Sequence, residues 1–131
     1  MDTHIWYWFA IGDKALTTKI ISIINDAALD DSLYLAAISV WEIAMMESKG
    51  RVNFKLPTLQ WIEEALKGVP IQLVPLYPAI SVESCYLEDF HGDPADRIIV
   101  ATARVENLTL ITRDKKIQSY AKLHKIKVVA A

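Results

Sequence analysis

Cys85 is the one cysteine in a chain of 131 residues, which excludes an intrachain disulfide and a thiolate-based zinc site. His4, His91 and His124 are too scattered for zinc-ligand spacing. With four glycines there is neither a GxGxxG turn nor a Walker A loop, so a glycine-rich phosphate cradle is absent. Nothing in the pattern suggests a Ser-His-Asp or Cys-His nucleophile. The apolar run over 5–11 is too short to span a bilayer. No basic stretch followed by an apolar core and a cleavage site opens the chain. A reducing, cytoplasmic setting without a membrane segment is therefore expected. Large excess charge is lacking too: the net value is −2, so global electrostatics does not point to nucleic acid. The C-terminal end is locally basic, since Arg113 to Lys127 holds six Lys or Arg against one acid, Asp114.

What is plentiful is apolar matter, 53% of residues, with four Trp and five Tyr. At this length it predicts one domain over 1–131 with a filled core, and apolar surface for a partner. Branched and aromatic residues favour a strand over 1–9. Helical spacing predicts a helix over 17–29. A continuous apolar run over 33–38 reads as a strand buried on both faces. Ser39 and Glu42 have capping-box spacing at the head of a helix that closes near Gly50. Further helices are expected over 58–67, 78–90 and 115–124, and strands over 71–76, 108–112 and 126–130. In HGDPADRIIVATA, Asp93 is a good N-cap, Pro94 suits the first helical position and Asp96 falls in the first turn. The residues behind them are apolar nearly all round, as in a buried helix. The alternation predicts an α/β fold of three layers, a mainly parallel central sheet with helices on both faces.

On that scaffold Asp2, Glu42, Asp93, Asp96 and Asp114 each fall where a strand ends or a helix begins. In open α/β sheets those points share one edge, where ligands bind. Carboxylates packed together repel unless a cation or protons neutralise them. All-oxygen ligation favours Mg²⁺ or Mn²⁺ over zinc or copper. Such a site can activate water for in-line attack on a phosphodiester.

Four blocks in order, DTHIWYW, ISVWEIA, GDPADRIIVATA and LITRD, resemble those of PIN-domain proteins, and among them the VapC-type toxins of toxin–antitoxin pairs. The resemblance covers essentially the whole chain. It implies a Rossmann-like fold and a Mg²⁺- or Mn²⁺-dependent endoribonuclease. By position, Asp2, Glu42, Asp96 and Asp114 resemble the catalytic, metal-binding acids, with Asp96 central. Asp93 resembles a capping residue beside them, and Thr3, Ser39 and Thr112 resemble the hydroxyl residues that orient them. The implied partners are an RNA substrate, a small cognate antitoxin of the VapB kind and a second copy in a homodimer. Arg113, Lys115 and Lys116, next to Asp114, are candidates for contact with the RNA backbone. The alternative is a catalytically degenerate module that binds RNA or protein. Only Met1 precedes Asp2, so the first strand is expected to be very short, with Asp2 near a mobile end. Ala95 stands where relatives often carry an aromatic residue.

Overall fold

Asp2 sets the course of the chain from its second residue. Its Oδ1 accepts the Ile5 N–H at 2.9 Å and caps a helix, α1 (Thr3–Ile11), where a strand was expected. Local propensity loses here to capping and tertiary packing. Ile5 and Trp6 are fully buried, and Trp6 and Tyr7 meet the Trp61 ring at centroid distances near 6.1 Å. Gly12 ends the helix at φ 66°, returning its N–H to Phe9 and Trp8. That left-handed position suits glycine.

The computed structural model describes residues 1–90 and 92–131; His91 lies outside them. The elements that follow are α2 (Thr18–Leu29), β1 (Tyr34–Ala36), α3 (Ile38–Ser48), α4 (Thr58–Lys67), β2 (Gln72–Val74), α5 (Pro78–Cys85), α6 (Pro94–Val105), β3 (Leu110–Thr112), α7 (Lys115–Leu123) and β4 (Val128–Ala130). Asp93 caps α6 with Pro94 at its first position, as its sequence predicts. The expected capping box does not form. Ala37 occupies the N-cap of α3 without a side-chain bond, Ser39 lies inside the helix, and Glu42 turns toward Thr3. The helix expected over 78–90 stops at Cys85, and its last turns are replaced by a loop that Arg97 holds.

An α/β fold is present, but the expected single sheet is divided into two parallel pairs. β1 pairs with β2, placing Leu35 opposite Leu73, and β3 pairs with β4, placing Ile111 opposite Val129. Among the described residues, the backbone of Met1 and Asp2 bridges β1 and β3. The Met1 nitrogen donates to the Tyr34 carbonyl at 3.2 Å, and the Asp2 N–H donates to Ile111 at 3.0 Å. Asp2 is not at a loose end: it is 7% exposed.

Strand side chains alternate between two cores, as the pleat requires. Leu35 and Ile111 join Ile5, Ile24, Ile43 and Ile62 of α1 to α4. Ala36, Val74 and Leu110 join Ile80, Val100 and Ile117 of α5, α6 and α7. Helices thus cover both faces of the strands. Each fully buried Ile contributes about 1.5–3 kcal/mol of transfer free energy.

Candidate active site

Three carboxylates converge where α3 and α6 approach each other. One oxygen from each of Glu42, Asp93 and Asp96 lies within 4.8 Å of the others, close enough to share one cation. Each position has a local cause. Asp93 is fixed by accepting the Asp96 N–H at 2.8 Å, so the cap of α6 delivers both of its aspartates to one spot. Glu42 sits one turn into α3 and accepts from the Thr3 hydroxyl. Thr3 Oγ1 also lies 2.9 Å from Ser39 Oγ, and both residues are almost wholly buried. Gly92, just before the cap, allows close approach. A Cβ there would lie 2.5 Å from the Phe90 ring and 3.1 Å from the Asp96 Cβ.

Two further acids flank this trio. The Thr112 hydroxyl donates to Asp2 Oδ2 and accepts the Asp114 N–H at 3.0 Å. Asp114 Oδ1 caps α7 by accepting from Lys116 at 2.7 Å and Ile117 at 3.1 Å. One buried hydroxyl at the end of β3 thereby holds the Asp2 carboxylate and the Asp114 backbone side by side. Asp93, Asp96, Asp114, Lys115 and Lys116 all line one open cleft.

The electrostatics follow from the crowding. Partial burial, then the negative charges of Asp93, Glu42, Asp114 and Asp2, push the Asp96 carboxyl up to about 7. Burial raises Glu42 as well, and its bond from Thr3 pulls the other way. A carboxyl pushed up by burial and by its neighbours' charge is a place where a cation would relieve repulsion. Oxygen donors alone are hard ligands, suited to Mg²⁺ or Mn²⁺. The donor set therefore fits such an ion.

The sequence-based candidates do not all meet. Glu42 and Asp96 stand in the trio together with Asp93, which the sequence placed as a cap beside the metal-binding acids rather than among them. Asp2 and Asp114 stand beside it, near enough for their charges to raise Asp96. Arg113 is committed elsewhere: its guanidinium donates to the carbonyls of Ala15 and Ala131 and lies 4.8 Å from the Trp8 ring centroid. Arg97 was not among the residues expected from the sequence to shape the site. Arg97 donates to the carbonyls of Ser84, Cys85, Leu87 and Phe90 and so fixes the loop that leads into the site. An Arg in the first turns of an otherwise mostly apolar helix was the available signal.

Among the described residues no helix is long and apolar enough to cross a membrane. Residues 1–123 match the family model described as PIN domain. The chain is 31% identical to ribonuclease VapC22 of Mycobacterium tuberculosis (strain ATCC 25618 / H37Rv) over 121 residues, which are 92% of this chain and 89% of that protein. No solved structure matches it. Carried by near-complete coverage in both comparisons, and consistent with acids drawn from four separate blocks, the conclusion is that the chain belongs to the PIN-domain family, as one of its VapC-type toxins.

Proposed function

We propose that the chain is a metal-dependent endoribonuclease, the toxin of a toxin–antitoxin pair, that hydrolyses RNA phosphodiester bonds. The observation that supports this most directly is the trio Glu42, Asp93 and Asp96, with the Asp96 carboxyl pushed up to about 7. Asp2, Glu42, Asp96 and Asp114 hold Mg²⁺ or Mn²⁺ directly or through water, with Asp93 adding charge next to them. When bound, such an ion supplies activated water and neutralises charge on the phosphate. The chain's own residues do the rest. Thr3 and Ser39 set the rotamer of Glu42, Thr112 sets that of Asp2, and the cap bonds from Lys116 and Ile117 set that of Asp114. Lys115 and Lys116 line the same cleft and contact the RNA backbone. Arg113, already bonded to the fold, holds the α1–α2 connection in place instead. The N-terminus of α6 offers its positive dipole end to the same region.

In this reading a small antitoxin of the VapB kind covers the cleft, and two copies form a homodimer. Trp41, 55% exposed on α3, and Leu59, 68% exposed on α4, supply apolar surface for such contacts. The degenerate-module alternative drew its support from a loosely held Asp2, and the burial and two carboxylate bonds of Asp2 weigh against it.

The test is RNA cleavage by purified protein with Mn²⁺ or Mg²⁺, with chelator as control. Asp96→Asn is expected to lower the rate by at least about 100-fold, a loss of about 2.7 kcal/mol of transition-state stabilisation. It should also relieve growth arrest on expression. A folded Asp96→Asn protein that retains full activity would overturn the mechanism.

A further inference from the structure

A row of planar side chains begins beside the carboxylates, on α1. His4 follows Thr3 directly and lies in the first turn of the helix that Asp2 caps. Its side chain is exposed. It is close enough to act on the Glu42 carboxyl, after burial, the Thr3 bond and Asp93. Trp8, one turn further on and half-buried, meets the His4 ring at a centroid distance of 5.8 Å and an interplanar angle of 50°. Residues four apart share one helix face, so this contact is built into α1.

Trp8 is itself held in place. The Arg113 guanidinium lies 4.8 Å from the centroid of its ring. Bonds to the carbonyls of Ala15 and Ala131 keep that guanidinium where it is. The Trp8 carbonyl accepts the Asp13 N–H at 2.8 Å, where the chain turns after α1. Arg113 stands between Thr112 and Asp114, and His4 stands next to Thr3. Both ends of the row from Arg113 through Trp8 to His4 are thus neighbours of residues of the site, and the outer end is the exposed imidazole.

An exposed ring propped from behind suits a planar ligand, and the acids narrow its class. Asp2, Glu42, Asp93, Asp96 and Asp114 repel every phosphate of an RNA strand except one whose oxygens reach a bound cation. Lys115 and Lys116 offset that repulsion from α7. On the α1 side, affinity has to come from a contact that does not depend on the charge of the strand. Stacking of a base on an aromatic ring is such a contact. We propose that His4, propped on Trp8, is the ring on which a nucleobase flanking the scissile phosphate of the RNA stacks. This rests on the nuclease reading of the adjacent acids. Every base has a π-face, so the contact fixes the position of the strand over the acids rather than its sequence.

The test uses a single-stranded RNA of roughly ten nucleotides, within the span of one such binding site. Fluorescence anisotropy in Ca²⁺ follows binding, and cleavage in Mn²⁺ follows turnover. His4→Ala is expected to weaken binding and raise KM by about tenfold while changing kcat by less than about twofold. His4→Phe keeps a ring, discards both nitrogens and should recover most of the loss. The deficit of His4→Ala should be the same at about 50 mM and about 200 mM salt, because stacking releases no counterion. An abasic site placed on each side of the cut in turn should, at one of the two positions, erase the difference between the wild-type chain and His4→Ala. A deficit that shrinks with salt, or a His4→Phe protein as weak as His4→Ala, would make His4 a phosphate contact and overturn the proposal. So would a difference that survives both abasic sites, equal binding by all three proteins, or no RNA binding by the wild-type chain. A wild-type chain that binds RNA without cutting it removes the nuclease reading, and the comparison of binding still decides whether a base stacks on His4.

Discussion

At the level of single residues, Asp96 carries the clearest consequence. Its carboxyl is pushed from the ordinary 3.8 up to about 7, first by burial and then by four neighbouring carboxylates. Between those two values the folded protein binds more protons than the unfolded chain, so stability without metal falls as pH rises. The contribution is full below about pH 4 and lost as pH passes about 7; Glu42, raised by burial, acts with the same sign. A divalent cation needs the ionised form and competes with that proton. Mn²⁺ affinity is therefore expected to rise by up to about tenfold per pH unit between about pH 6 and pH 7, then level off. Added Mn²⁺ should flatten the fall in melting temperature. Calorimetric titration and metal-free melts across that range measure both. A metal-free protein that becomes more stable from pH 5 toward pH 8 would contradict the assignment. That acids would gather was legible in the sequence, because each stood at an element boundary. That Asp93 would stand inside the trio was not, because one cap bond satisfies its sequence pattern equally well.

Secondary-structure elements were read with uneven success, and the failures share a cause. α2, α4 and α6 announced themselves by apolar spacing and by their starts. α1 did not: Trp6, Tyr7, Trp8 and Phe9 have strand propensity, yet a helix forms because Asp2 caps it and Trp61 receives its rings. The cap is local, but the packing against Trp61, some fifty residues on, lies outside any local window. α5 was read too long for a similar reason. The chain from Tyr86 to Phe90 leaves the helix to present its carbonyls to Arg97, thirteen residues beyond Ser84. Arg97 thereby supplies the donors that the last carbonyls of α5, Ser84 and Cys85, otherwise lack. Arg97→Met keeps most of the stem and removes the donors. It is expected to cost about 2 kcal/mol of stability. It should also lower nuclease activity, since the loop it holds leads to Gly92 and Asp93. Denaturant unfolding and RNA cleavage measure the two effects. A variant with unchanged midpoint would show that the loop carbonyls are satisfied by water instead.

For the molecule as a whole, the alternation of elements was enough to anticipate helices on both faces of parallel strands. It was not enough to foresee that the strands would form two pairs. Each strand contributes three paired residues, and the span between the pairs rests on Met1 and Asp2. Thr112 is the residue through which the two halves communicate. It is fully buried at the end of β3, donates to Asp2 at the head of α1 and accepts from Asp114 at the head of α7. Thr112→Val preserves shape and branching but leaves a carboxylate oxygen and an N–H without that partner. The expected loss is about 1–3 kcal/mol, the range for unsatisfied buried groups. Its distribution matters more than its size. If β3 couples the halves, amide exchange should speed up both in α1, which belongs to one core, and in α7, which belongs to the other. Mn²⁺ should restore part of the loss, because a cation would take up the oxygen that Thr112 releases. Faster exchange confined to α7 would mean that Asp2 is held by its cap bond alone and that the two cores open independently.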